Sequence, residues 1–226
     1  MWNLPSVLIG AGVILGPLAV WTGAVDPATG FQSIFLPAVL LALVSAIGFG
    51  GAAAVATALG KPWRRQALIA SVVPLAVTAW TLIYSQGAPA INDITTDTAQ
   101  PPAFLTGELS KAPYDPQMAP IQQQAYPELA PIEVPLSPAE AYERALATVR
   151  AMPGWEVTYE NAESGMVQAR DRTPIFRFVD DVVIRVKPAE AGSRIDLRSR
   201  SHLGRGDLGK NAARIRAYIE AFESGR

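Results

Sequence analysis

Apolar residues run almost unbroken from Met1 to about Gln86, interrupted by two short polar hinges, and beyond them the chain alternates polar and apolar positions as strands and amphipathic helices do. The hinges leave three blocks, about Leu4 to Val25, Ile34 to Leu59 and Gln66 to Tyr84, and none contains Asp, Glu, Lys or Arg. A helix rises about 1.5 Å per residue and a bilayer core is about 30 Å thick, so each block predicts a membrane-spanning helix. Gly16, Pro17, Pro37, Gly48, Gly50, Gly51 and Pro74 lie inside the blocks. Spans tolerate such residues because neighbouring helices satisfy the freed backbone groups. A cleaved signal peptide is the competing reading of the first block; no Lys or Arg precedes it and two further apolar blocks follow, which favours a span.

Orientation follows from the hinges. Asp26 to Ser33 carries one acid and no base, whereas Lys61, Arg64 and Arg65 cluster in the second hinge. The excess of positive charge on cytoplasmic loops puts that hinge inside, the amino terminus inside, and everything after Tyr84 outside. The expected location is the bacterial inner membrane with a periplasmic carboxy-terminal domain. Trp21, Trp80 and Tyr84 fall near the block ends, as interfacial aromatics do. Gly48, Gly51, Ala52 and Ala56 suggest a close-packing seam, within the three helices or between copies. With no charge inside the blocks, transport or proton conduction has no visible machinery.

From Gly87 to Leu136 prolines at 101, 102, 113, 116, 120, 127, 131 and 135 exclude helix and make long strand ladders unfavourable. Ile91, Ile94, Phe104, Leu105, Tyr114, Tyr126, Leu129 and Ile132 are too apolar for an idle linker, so this segment is expected to wrap the outer domain in an extended form. Ser137-Pro138-Ala139-Glu140 then predicts a helix start with a capping box, and Tyr142, Ala145, Leu146, Val149 and Met152 give it one apolar face before Pro153-Gly154 ends it.

Strands are predicted over Trp155 to Glu160, Met166 to Arg172 and Phe176 to Lys187, with a fourth after the Pro188 to Ser193 turn. Phe176, Phe178, Val182, Ile184 and Val186 share one face, continued by Ile195 and Leu197, while Asp196, Arg198 and Arg200 face out. Placing Lys187 opposite Arg194 pairs Arg185 with Asp196 and Asp181 with Arg200, whereas a two-residue slip opposes arginine to arginine. The first register is therefore expected. A last helix, capped near Asp207, should bury Leu208, Ala212, Ile215, Ile219 and Phe222. The predicted architecture is three amino-terminal transmembrane helices (residues 1–86), the wrapping segment (87–136) and an α+β domain (137–226), a two-layer sandwich of four antiparallel strands with both helices on one face.

Charge and composition narrow the chemistry. The formal net charge is −1 and cysteine is absent, so nothing argues for nucleic acid, and disulfides and thiolate metal sites are excluded. His202 is the only histidine; Ser199 and Ser201 lie on its own strand and aim poorly at it, and it reads as a surface residue at a strand end. No metal or cofactor is expected. Gly204-Arg205-Gly206-Asp207-Leu208-Gly209 matches GxGxxG, but a dinucleotide fold needs a parallel strand and an acid about 20 residues on, and the sequence given ends at Arg226. It reads as a flexible turn; a helix N-terminus with Arg198, Arg200, Arg205 and His202 nearby also suits an anion, although Asp207 would compete for the same amides. Asp180 and Asp181 point to opposite faces, and Asp180, on the apolar side opposite Ser201, needs a partner.

Four separated motifs resemble the bacterial and plastid family called domain of unknown function 1499: Asn92-Asp93-Ile94-Thr95-Thr96-Asp97, Met152-Pro153-Gly154-Trp155, Phe176 to Arg185, and Arg198 through Ser201 to Gly204, Asp207, Gly209, Asn211, Ala212, Arg214 and Ile215. The resemblance covers about Ile91 to Phe222, departs from the family where His202 replaces an expected arginine, and implies a fold and an envelope setting without a reaction. Asn92, Asp93, Thr96, Asp97, Asp180, Arg198, Arg200, Arg205, Asp207, Asn211 and Arg214 are the candidate site residues. Asp93, Thr95, Thr96 and Asp97 with Arg198, Asp207, Asn211 and Arg214 form either a buried network pinning the extended segment to the last strand-to-helix corner or the lining of a ligand cleft. The leading function is a noncatalytic envelope module that binds a partner protein, an anionic lipid or a small molecule. The alternatives are a hydrolase or transferase with Asp180 or Asp97 as general base, and a structural spacer.

Overall fold

The computed structural model describes residues 4–85 and 87–225. The chain divides into two compact units, one of residues up to Gly87 together with Pro174–Arg177, the other of Ala88–Thr173 and Phe178 onward.

The first unit holds α1 (Leu4–Trp21), then α2 (Pro27–Thr29), which runs through a π-helical turn (Gly30–Phe35) into α3 (Leu36–Ala58), and α4 (Arg64–Ser85). The Asp26 carboxylate accepts a hydrogen bond from Thr29 N at 3.0 Å and Pro27 sits in the first turn, so the middle helix starts well before the expected Ile34 and absorbs most of the first hinge. Among the described residues only Pro27–Ala58 is long and apolar enough to cross a membrane, and Val7–Trp21 is a shorter apolar helix. Of the three expected spans, one therefore meets that test; α1 has 18 residues and α4 opens on Arg64 and Arg65.

Most buried residues of this unit are small, Ile9, Val20 and Phe35 excepted, and many of its large apolar side chains are exposed. Ala38, Ala42, Ser45, Ala46, Ala53, Ala56, Ala67, Ala70 and Ser71 are buried, while Leu40, Ile47, Val55, Val72 and Ile83 are exposed. Small residues allow close approach: a Cβ on Gly12 would lie 2.5 Å from the Ala38 Cβ, and one on Gly16 would lie 2.9 Å from the Gly30 carbonyl. As a seam within the three helices, the expectation is met only in part. Ala56 is inside, but Gly48 and Gly51 are exposed and a Cβ on either would meet nothing within 4 Å. Phe176, expected on a strand's core face, instead packs its ring 5.2 Å from Phe31 and 5.1 Å from Phe35, and Trp21 Nε1 donates to the carbonyls of Pro174 and Ile175. Trp21 and Trp80 are largely exposed; the side chain of Tyr84, the third expected interfacial aromatic, lies outside the described residues.

The second unit is mixed α+β. Its sheet has the order β1-β6-β5-β4-β3 (Asp93–Thr95, Gly192–Ser201, Val179–Ala189, Met166–Arg172, Glu156–Asn161), and β2 (Ile132–Val134) also pairs with β6. Every described pairing is antiparallel, and the expected register is observed: Lys187 opposite Arg194, Arg185 opposite Asp196, Asp181 opposite Arg200 and Asp180 opposite Ser201. The sheet has six strands rather than four, because two three-residue pieces of the proline-rich segment lie end to end along β6. Between prolines such short pieces still find the few backbone partners they need.

That segment also contains helix, contrary to expectation. A 3₁₀ turn covers Glu108–Lys111, and α5 spans Met118–Ala125 with Pro120 in its first turn, where no intrahelical N–H is missed. α6 (Pro138–Ala151) begins with the predicted capping box, Ser137 Oγ accepting from Glu140 N and the Glu140 carboxylate accepting from Ser137 N, worth about 1 kcal/mol. α7 spans Lys210–Ser224, starting later than expected. Leu208 lies outside it, largely exposed, and Tyr218 takes the core position that the last helix required.

One core cluster joins Tyr142, Leu146 and Val149 of α6 and Ile215, Tyr218 and Phe222 of α7 to Val182, Ile184, Ile195 and Leu197 of the sheet. The opposite sheet face is covered as well: Phe104 and Leu109 pack there on Met166 and Val183.

Candidate functional site

The candidate residues separate into groups on the two faces of the sheet, because successive strand residues point to opposite sides. On the helix face, Asp171 and Asp180 lie opposite each other on β4 and β5, and Ser199 and Ser201 follow on β6. Two carboxylates at adjacent inward positions demand a cation, and α7 supplies Arg214. Its Nη2 donates to Asp180 Oδ2 at 2.6 Å and to Asp171 Oδ2 at 2.8 Å, and its Nη1 donates to Ser199 Oγ at 3.1 Å and Asn211 Oδ1 at 2.5 Å. Asn211 Nδ2 donates to the Asn92 carbonyl and to Ser201 Oγ, and Asn92 Nδ2 donates to the Gly204 carbonyl. Asp207 accepts from Gly209 N at 2.8 Å and from Asn211 N in the first turn of α7 at 2.5 Å, while the cap position itself is Gly209 rather than the expected Asp207.

Arg198, expected at this corner and facing out with Asp196 and Arg200, is on the other face. There it is not solvated, since Asp196 is fully buried and Arg198 is 2 % exposed beneath the proline-rich segment. Its Nε and Nη2 grip the two Asp93 oxygens at 2.8 Å each, its Nη1 donates to the Pro102 carbonyl at 3.1 Å, and its plane lies 4.7 Å from the Phe104 ring. Arg200 Nη1 reaches Asp93 and the Pro113 carbonyl. Burial and the Asp93 charge push the Tyr114 hydroxyl up to about 12.

Asp97 belongs to a further cluster on this face. Its Oδ2 pairs with Arg194 at 2.9 Å, and Asp196 receives Arg194, Arg185 and Lys187. A shallow depression of about 330 Å³ borders Asp97, Lys187 and Arg194, but those charges already face partners. Thr96 closes on β6, its Oγ1 accepting from Leu197 N at 2.8 Å. Arg205 alone of the candidates is exposed and takes no ion pair among the described residues.

Sequence reasoning missed Asp171, Gln122 and Gln168. Gln168, fully buried, accepts from Leu105 N and Thr106 N and donates to the Thr106 carbonyl. Gln122 of α5 does the same for Thr95, accepting from its N–H and donating to its carbonyl, and so pairs the free edge of β1. Asp171 had a readable signal, since the predicted strands put a second carboxylate beside Asp180. His202 is not a plain surface residue: Nε2 lies 2.9 Å from Asp181 Oδ2. Among the described residues no group of three or more His, Cys, Asp or Glu is placed to hold a metal.

Two carboxylates titrate with opposite effects. Burial alone would raise Asp196, but hydrogen bonds from Arg194 and Arg185 and the Arg185 charge outweigh it and hold its pKa below the ordinary 3.8. Its stabilisation is complete above 3.8 and is lost as the pH falls through the depressed value. Burial and the Asp180 charge raise Asp207 despite its two amide bonds, so its own contribution improves as pH falls through the raised value. Asp196→Asn is therefore expected to lower the urea midpoint at pH 7, and the gap from the parent chain should close below pH 3.8. A gap constant across that range would contradict the depressed pKa.

A comparison with curated proteins finds no match. A family model described as protein of unknown function (DUF1499) matches residues 93–222, more than half of the 226-residue chain, and this stretch includes every member of the two arginine-centred networks except Asn92. The chain therefore belongs to the DUF1499 family.

Proposed function

We propose that the chain is a membrane-anchored envelope module whose outer unit binds rather than catalyses, working at the bilayer surface on a partner protein or an anionic lipid. The observation that carries this reading is the saturation of the motif side chains by one another. Asp180, the best candidate base, is 2 % exposed and held by Arg214, and Asp97 pairs with cations of the opposite face, so no single small molecule reaches both. The motif arginines at 198 and 214 serve the fold, which moves any binding surface elsewhere on the unit.

For the anchor, the packing of the first unit supports helices that face lipid: many large apolar side chains are outside, and most buried residues are alanine or serine. On this reading α1, α2–α3 and α4 all cross, with Lys61, Arg64 and Arg65 on the cytoplasmic side. A periplasm-active reporter fused after Tyr84 should be active and a cytoplasm-active one silent, with the reverse at Lys61. The same compartment at both positions would overturn the topology and the envelope setting with it.

A further inference from the structure

The glycine-rich turn between β6 and α7 carries side chains that neither polar network uses. Leu203 is 53 % exposed and Leu208 59 %, and Arg205 stands between them. Leu208 holds φ at +55°, a left-handed conformation that a leucine adopts only when its surroundings impose it. They do. A Cβ on Gly206 would lie 3.2 Å from the Ala90 Cα, one on Gly209 would lie 3.3 Å from the Tyr126 hydroxyl, and Asn92 Nδ2 donates to the Gly204 carbonyl at 2.6 Å. The turn is thus fixed against Ala88–Asn92, with its apolar side chains turned away from the core.

Ala88 follows Ser85, the last residue of α4, by three positions, and three extended residues span at most about 10 Å. The turn thus packs on the residues by which the chain leaves α4, next in sequence to the headgroup layer that would border the outer end of that helix. A pair of exposed leucines flanking an arginine that is unpaired among the described residues suits that layer, apolar groups entering the acyl boundary and the guanidinium taking phosphate. The helix N-terminus is not the site, since Asp207 already takes the Asn211 amide in its first turn.

We infer that Leu203, Arg205 and Leu208 form a bilayer-contact turn that enters the outer headgroup layer and takes phospholipid phosphate on Arg205. This rests on the reading of α4 as a membrane span.

The chain has no cysteine, so Leu203→Cys, Leu75→Cys in α4 and Glu190→Cys in the β5–β6 turn each carry one spin label without background. The full chain is reconstituted in vesicles of phosphatidylcholine with phosphatidylglycerol, and collisions of each label with oxygen and with a water-soluble nickel chelate are compared. The label at 203 should be several-fold less accessible to nickel than that at 190 while remaining open to oxygen, and the label at 75 should be in lipid. Arg205→Glu should move the 203 label outward, more so with phosphatidylglycerol than in phosphatidylcholine alone, and free inorganic phosphate should leave it in place.

A label at 75 in lipid with equal nickel access at 203 and 190 overturns the inference and leaves the anchor standing. Water access at 75 overturns both. Protection of 203 from nickel and oxygen alike would make the turn a protein-covered surface instead. No outward shift with Arg205→Glu, or displacement by free phosphate, would overturn the assignment of lipid phosphate to Arg205.

Discussion

Arg214→Ala is expected to destabilise the second unit by about 3–5 kcal/mol, because it leaves Asp180 buried without its cation and Asn211 and Ser199 without a shared donor. Domains of this kind are stable by about 5–15 kcal/mol in total, so the loss is a large fraction. Arg214→Lys should recover only part of it, since one ammonium cannot serve Asp171, Asp180, Ser199 and Asn211 with the geometry of a planar fork. Thermal unfolding of the detergent-solubilised chain, followed through Trp155 where it stacks on Tyr218 at 6.0 Å, measures both variants. A cost below about 1 kcal/mol for the alanine variant would place the pair in the class of solvated surface bridges.

Arg198→Ala should have a similar cost, about 3–5 kcal/mol, and a different signature. This side chain joins β6 to the Asp93 carboxylate, to the Pro102 and Ala112 carbonyls and to the Phe104 ring. Its loss uncovers one sheet face rather than the helix-packed core. Tryptic cleavage after Lys111, which lies in the covering segment, should therefore accelerate in Arg198→Ala well before Trp155 reports unfolding. Arg214→Ala should instead show the two signals together.

The sheet register was legible because charge and alternation agreed: only one alignment pairs Arg185 with Asp196 and keeps Ile184 beside Leu197. The α6 start was legible because a capping box is a local code in four residues. The burial of Arg198 and Asp196 was not. Alternation says that they oppose the core face, but whether that side meets water depends on Phe104 and Leu109, about ninety residues earlier in the chain and in a segment whose prolines hide its pairing. The role of Gln168 was hidden for the same reason, since its partners are backbone amides of that segment. The apolar blocks of the first unit were plain, but which small residues face inward among its helices was not, because composition does not reveal it.

The central claim is that the polar residues of the family motifs bind one another to close the fold. A double-mutant cycle on Asp93 and Arg198 tests it most directly, using Asp93→Leu, Arg198→Met and the pair together, with stability read by urea unfolding of the detergent-solubilised chain. Asp93→Leu leaves the buried Arg198 without its carboxylate, Arg198→Met leaves the buried Asp93 with only the longer Arg200 contact at 3.3 Å, and the double change removes both buried charges. The account predicts that the double variant is more stable than either single variant, with a coupling of about 2 kcal/mol or more. Single variants within about 0.5 kcal/mol of the parent, with additive effects in the double, would contradict it and return Asp93 and Arg198 to the lining of a ligand site.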